Sequence, residues 1–532
     1  LALAVVALVA EWCGHTLTWC WTGGADPGQA LTGSTHAYLQ PLGITLAVVA
    51  VGLTWMVVRA MALLDGRARA LRHRLRQAVP QGHKFAVRAL AAGQPVHKYG
   101  FAIGRATAAI VAGDWVHTHN MATGLSGTLD YHYQPLAAAP TQHTGPTGAF
   151  QGYRRADGRV GTRNEIWVLC TVGCVARTAR RIAEQAERRF GGRVDGVHAF
   201  THPFGCSQLG SDLEHTRQML AALARHPNAG GVLLVGLGCE SLQMKWLLEA
   251  MDGVDPARLR WFNSQLADDE VEQGLAAVEE LVAVAEQDRR QPWDLSDLVV
   301  GLKCGGSDGF SGITANPVVG RIADRVAAAG GTPILTEIPE IFGAERMLMA
   351  RAQSREVFEQ IGTLVNDFKR YFLDHGQPVH ENPSPGNLAG GIFTLEEKSL
   401  GAVQKGGHAT VTQVLRYGQR AQLPGLALLE APGNDAVSAT ALTAAGATVI
   451  LFTTGRGTPL GFPVPTLKIA TNSALAAAKP RWIDFDAGAL LDGRGMEALA
   501  DALQQLVLDT ASGKPARNEI NDEREIALWK TG

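Results

Sequence analysis

Apolar and polar positions follow two different rhythms along this chain, and the change of rhythm divides it. From about residue 153 onward, short apolar runs recur: "EIWVLCTV", "GGVLLVGLG", "LVVGLKC", "TPILTEIP", "GLALLEAPG" and "ATVILFTTG". Runs of this kind predict strands buried on both faces. Between them lie stretches with apolar residues three and four apart, such as "DDEVEQGLAAVEELVAVAEQ" at 268–287, which predict amphipathic helices. Alternating strand and helix predict an α/β region over residues 152–532, in two subdomains. Its sheet is parallel, with chemistry gathered at the carboxyl ends of the strands. Residues 79–136 carry shorter runs, "HKFAVRAL", "QPVHKYG", "FAIGRAT" and "DWVHTHN", broken by Gly93, Gly100, Gly104 and Gly113. They predict a small, mostly β domain. Residues 137–151, rich in Pro, Thr and Gly without periodicity, read as a linker.

The strand ends carry unusual residues. In "GLKCGGSDGFSGITANP" (301–317) an apolar run breaks off into Lys303, Cys304, two glycines, a serine and Asp308, a richer set than a turn requires. Cys174, Cys206, Cys239 and Cys304 stand at or just past four predicted strands, spaced by 32, 33 and 65 residues, and the first three each follow a glycine. That spacing is compatible with one cysteine per βα unit aimed into a shared crevice. Buried free cysteine is the ordinary alternative; ligation of iron or of a cluster is the functional one. Glu240, after Cys239, and Glu337, in "LTEIPE", are strand-end carboxylates. His117 and His119 lie two apart, so an extended segment puts both rings on one face, to share a cation or to bind substrate. His83, His97 and Lys98 enrich the same small domain in groups that suit a polyhydroxy acid.

Composition narrows the field. The 532 residues suit two to four domains of about 100–200 residues each. With 18% charged residues and a net charge of −2, nothing draws the whole chain to nucleic acid. Seven cysteines without a CxxC pair exclude a disulfide framework and a zinc ribbon, and a reducing, cytoplasmic setting is the default for the main body. Residues 1–73 differ. The chain opens without methionine inside "LALAVVALVA", which reads as a fragment or an upstream-extended reading frame. Residues 43–64 are apolar enough for a transmembrane helix. The arginines of "GRARALRHRLR" then place the downstream chain in the cytoplasm, anchored at its N-terminus. A buried soluble helix, or sequence foreign to the main body, is the other reading.

Six long motifs in order carry a resemblance: "GYRRADGRVGTRNEIW" (152–167), "GCSQLGSDLEHTRQML" (205–220), "CGGSDGFSGITANP" (304–317), "ENPSPGNLAGGIFTLEEKSLG" (381–401), "APGNDAVSATAL" (431–442) and "FTTGRGTP" (452–459). From about residue 74 onward the chain resembles the altronate dehydratase family, which includes galactarate dehydratase. Its small domain resembles a SAF domain, without the family's first strand segment. The resemblance implies a hydro-lyase of hexuronate breakdown that converts D-altronate to 2-dehydro-3-deoxy-D-gluconate and water, with a divalent metal, typically Fe(II).

That chemistry selects residues. The C2 proton of a sugar acid is barely acidic and the C3 hydroxide leaves poorly, so charge stabilisation and proton transfer are both needed. Lys303, Asp308, Glu240 and Glu337 are the expected catalytic groups, and His83, Lys98, Arg456 and Asn316 the expected substrate-binding ones. His117 and His119 are the expected ligands of Fe(II) or Mn(II), with Cys174, Cys206, Cys239 and Cys304 the alternative set for iron or an iron–sulfur cluster. In that role Lys303 and Asp308 are replaceable at little cost in stability; the bland alternative makes them an ion pair that pins the loop. The expected partner is a small sugar acid, and a homo-oligomer is compatible with it. Galactarate or sulfolactate as substrate, a membrane-tethered sugar-acid binding protein without turnover, and an enzyme fused to a transporter fragment are the competing readings.

Overall fold

A computed structural model of the chain describes residues 74–133 and 148–531. The membrane candidate at 43–64 and most of the linker lie outside the described residues. No helix among the described residues is long and apolar enough to cross a membrane.

The apolar runs form two parallel sheets. The first has four strands in the order Leu259–Asn263, Ala229–Gly236, Glu165–Cys170, Val197–Phe200. The two central strands are buried along their whole length, which is why they read as continuous rather than alternating runs. One face is covered by the helices Ala176–Phe190 and Glu270–Ala285. There Ile182, Leu275, Val278 and Leu281 pack on Ile166, Val168, Leu233 and Val235. Asp269 starts the second helix by accepting from the N–H groups of Val271 and Glu272, a cap that contributes about 1 kcal/mol.

The second sheet has seven strands in the order Val411–Leu415, Leu426–Leu429, Thr332–Leu335, Val299–Cys304, Val449–Thr454, Thr466–Ala470, Phe485–Asp486, all parallel. The sheets share a core. Trp167, Leu169 and Leu234 of the first join Ile450 and Phe452 of the second through the helices Asp212–Ala224 and Asp435–Ala444.

The small domain carries antiparallel strands, Pro95–Lys98, Phe101–Ala106 and Met121–Ala122 in one sheet and Lys84–Phe85 with Trp115–Val116 in another. Its Val96, Ile103 and Val116 continue into Phe393 and Leu395 of the large region, so it is docked on that region by apolar contact. The strand Ala149–Arg154 pairs with Gln291–Asp294. Residues 149–151, read from composition as linker, are therefore already part of a sheet.

Candidate active site at the carboxyl end of the seven-stranded sheet

Strand order reverses in the second sheet between Val299–Cys304 and Val449–Thr454, the first and fifth of its strands along the chain. Connections leave this pair in opposite directions, and the crevice between them is where α/β sheets bind ligands. The register pairs Lys303 with Phe452 and Cys304 with Thr453, which brings "KCGGSDG" beside "TTGRG".

Lys303 is fully buried, and its ammonium bonds Glu337 Oε1 and, at 2.7 Å, Asp435 Oδ1. Burial works against this charge, but Asp435 and Glu337 overcome it and hold the lysine protonated above its ordinary range. Burial pushes the Glu337 carboxyl up, against the pull of Lys303. Glu337 adopts φ 68°, rare for a residue with a side chain and characteristic of functional sites. Cys304 is also buried. Its Sγ lies 2.6 Å from Lys405 Nζ and 3.1 Å from Glu340 Oε2, and burial together with Glu340 pushes its thiol up to about 12. Lys398 bonds Glu340 at 2.7 Å. Despite burial, Lys398, Lys405 and Lys303 hold the Glu340 carboxyl down to about 2. Three ammonium groups and three carboxylates thus offset one another around one thiol, which is what makes charge at this depth affordable.

One member of the group reaches solvent: the Asp435 side chain is 35% exposed, whereas those of Lys303 and Glu337 are at 0%. Asp435 lies against Gly305, and Arg456 against Gly306, so the two flank one glycine pair. Arg456 is exposed, with no hydrogen-bond or ion-pair partner among the described residues.

The other expected residues fall into different places. Asp308 makes no ion pair with Lys303. It accepts from the Phe310 N–H, Ser311 Oγ, Thr471 Oγ1 and Asn472 Nδ2 at 2.9–3.2 Å, a set of neutral donors that holds the loop. Replacing Asp308 by asparagine turns an amide NH2 toward donors and should cost about 1–3 kcal/mol, read as a lower melting temperature; an unchanged value would contradict this role. Asn316 is buried between Thr453 Oγ1 and Gly401 O. Lys98 bonds Glu397 at 3.0 Å, so its charge is already matched. Lys98, Asp308, Asn316 and Lys398 nevertheless line one cavity of about 40 Å3, room for a few waters. Glu240 belongs to the four-stranded sheet, where it accepts from Thr171 Oγ1 and the Leu237 and Gly238 N–H groups; it braces a loop there and bonds none of the residues around Lys303. Cys304 is buried at the end of a strand of the seven-stranded sheet, whereas Cys174, Cys206 and Cys239 are exposed in loops that follow strands of the four-stranded sheet.

The small domain closes on the site. Gly309 donates to Gly390 O at 2.7 Å, and a Cβ on Gly309 would fall 2.0 Å from Gly82 O, an approach that only glycine allows. Next to Gly82, His83 stacks on His117 at 5.9 Å, and His117 on His119 at 6.2 Å. The histidines share a face through a turn, with Asn120 N–H bonded to His117 O, rather than through an extended strand. His83 Nδ1 is buried without a partner. Burial, with His83 and His119 beside it, lowers the His117 pKa. Three imidazoles on one face, one with an orphaned ring nitrogen, fit the donor chemistry of Fe(II) or Mn(II). The triplet Cys304, Glu337 and Glu340, whose ligand atoms lie within 4.8 Å of one another, does not fit, because Lys405, Lys303 and Lys398 already pair with these three residues.

Sequence reasoning missed Asp435, Glu340, Lys398 and Lys405. Asp435 had a signal: it opens the helix that follows the Leu426–Leu429 strand, at the carboxyl edge of the sheet.

Three family models match this chain: the Altronate/galactarate dehydratase SAF domain over 55–124, the D-galactarate dehydratase/Altronate hydrolase second domain over 152–286, and the D-galactarate/Altronate dehydratase C-terminal domain over 295–532. The first begins upstream of residue 79, inside the apolar segment. Altronate dehydratase of Escherichia coli (strain K12) is 52% identical over 86% of this chain and 93% of its own length. The Bacillus subtilis (strain 168) altronate dehydratase is 48% identical over 85% and 92%. Galactarate dehydratase (L-threo-forming) of Escherichia coli (strain K12) is 35% identical over 82% and 86%. With its small domain, its central region and its carboxyl-terminal region each matched in order, the chain belongs to the altronate/galactarate dehydratase family.

Proposed function

We propose that this protein is a hydro-lyase acting on a sugar acid, and that its substrate is D-altronate, converted to 2-dehydro-3-deoxy-D-gluconate and water. Beyond family membership, one observation carries the reading: a half-exposed carboxylate, Asp435, held by a buried, charged lysine and flanked across a glycine pair by the free cation Arg456. Arg456 binds the substrate carboxylate, the geometry for which a guanidinium is suited. Asp435 takes the C2 proton, the C2–H electron pair forms the C2–C3 double bond as the C3–O bond breaks, and the same proton passes to the departing hydroxide to give water and an enol that rearranges to the 2-keto acid. Lys303 fixes the orientation of Asp435 and, with Arg456, stabilises the negative charge that spreads onto the carboxylate as that proton leaves. Anaerobic protein supplied with D-altronate and Fe(II) should form a 2-keto-3-deoxy acid in a coupled assay. Product from galactarate alone would overturn the substrate, and product from neither acid would overturn the reaction.

His83, His117 and His119 are the residues that would hold a divalent ion, whose Lewis acidity would act on substrate oxygens. Chelation should abolish activity, and Fe(II) or Mn(II) should restore it. Mn(II) binding, read by electron paramagnetic resonance, should weaken at least tenfold in His117→Ala. Full activity after exhaustive chelation, or unchanged Mn(II) affinity in that variant, would refute the assignment.

A further inference from the structure

Three cysteines stand outside this site. Cys174, Cys206 and Cys239 follow the strands Glu165–Cys170, Val197–Phe200 and Ala229–Gly236, and all three are exposed. Unliganded cysteine is among the most buried residue types, as Cys170 and Cys304 are here. The first and third of these strands are neighbours in the sheet, and the chain leaves them toward opposite edges. Their loops part over the ligand-binding crevice of the four-stranded sheet.

The three loops are tied together. Gly173 N–H donates to Phe204 O at 2.9 Å, Leu242 N–H to Gly205 O at 3.0 Å, and Thr171 Oγ1 to Glu240 Oε1 at 2.6 Å. Gly205 has φ +103°, and a Cβ there would lie 2.1 Å from Thr171 O, so glycine before the cysteine is what seats the second loop on the first. Two of the sulfurs have polar neighbours: Ser241 Oγ is 3.7 Å from Cys206 Sγ, and Gln265 Nε2 is 3.4 Å from Cys239 Sγ. Leu209, three residues past Cys206, and Leu266, next to Gln265, are 73% and 85% exposed, an apolar rim to the crevice.

The spacing of the sulfurs decides what they would hold. Among the described residues only Cys304, Glu337 and Glu340 are found to bring three ligand atoms within 4.8 Å of one another. A single zinc ion with bonds of about 2.3 Å keeps its sulfurs within about 4.6 Å, and these three are not found gathered within 4.8 Å of one another. A cluster spreads its thiolates wider, one to each iron. We propose that Cys174, Cys206 and Cys239 ligate a four-iron, four-sulfide cluster, each giving up its thiol proton to bind one iron and leaving the fourth iron open to an oxygen ligand. The helices Asp212–Ala224 and Asp435–Ala444 pack together, and the segments just past their carboxyl ends are joined by His226 Nε2 to Ala447 O at 3.1 Å. Their amino ends, with Cys206 ahead of one and Asp435 opening the other, therefore lie on one side of the molecule.

The test reads binding and does not depend on the proposed dehydration. The full chain, purified anaerobically and supplied with ferrous and ferric salts and sulfide, should hold about four irons and four sulfides, with the broad visible absorption of thiolate–iron charge transfer. Cys174→Ser, Cys206→Ser and Cys239→Ser should each lower both contents several-fold without changing the melting temperature of the metal-free protein, since all three side chains are exposed. Cys304→Ser should leave both contents unchanged. Iron without sulfide, iron and sulfide retained in the triple serine variant, or cluster loss in Cys304→Ser would each overturn the assignment.

Discussion

Asp435→Asn should lower turnover about 100-fold or more while the melting temperature hardly moves. The first half follows from the loss of a positioned proton acceptor, which in general acid–base catalysis is worth about 10²–10⁴-fold. The second follows from exposure. The side chain is 35% exposed, and an asparagine oxygen can still accept from Lys303, whose charge remains matched by Glu337. The expected loss of stability is about 1 kcal/mol or less. Steady-state kinetics and thermal melting on this one variant separate a catalytic carboxylate from a structural one. Turnover within a few-fold of the parent would remove Asp435 from the chemistry.

Lys303→Met should show the opposite balance, a loss in both quantities. Removing the ammonium leaves Glu337 fully buried, with Lys405 at 3.7 Å as its remaining cation. Breaking a buried pair from one side costs about 3–5 kcal/mol, so denaturant unfolding should register a deficit of that size. Turnover should fall at least 100-fold even at temperatures where the variant is folded, because Asp435 loses its orienting partner. The glycine-rich loop read in isolation predicts little change in stability on replacing Lys303. The structure reverses that, since the lysine lies beneath the loop rather than on it. A variant with parental stability would mean that Glu337 relaxes to another partner, and would overturn the account of the buried cluster.

Much of the fold was legible because burial leaves a mark on composition. A strand covered on both faces must be apolar throughout, and "EIWVLC" and "VLLVG" read that way. A helix covered on one face must be periodic, and 268–287 folded as a helix between its Asp269 cap and Ala285. Of the site, Lys303, Cys304 and Glu337 were legible as polar residues at the ends of apolar runs. Their partners were not. Lys405 is 101 residues from the sulfur it meets, and Asp435 is 132 residues from Lys303, and no local pattern records such a pairing. Asp308 and Glu240 show the converse. Each is a carboxylate in a glycine-rich loop at a strand end, yet each is spent on neutral hydrogen-bond donors of its own surroundings.

By itself the sequence determined the class of fold, the family, and the strand ends where chemistry collects, because hydrophobic period and motif order are local properties of the chain. Tertiary structure alone decided which of those ends meet. Packing set Lys303 on Asp435 and the glycine pair after it against Arg456, put Cys304 among Lys398 and Lys405, and left Cys174, Cys206 and Cys239 in the loops of another sheet. The physical reason is that charge compensation and ligand geometry act over a few ångströms in space, and only the packing of the two sheets sets those separations.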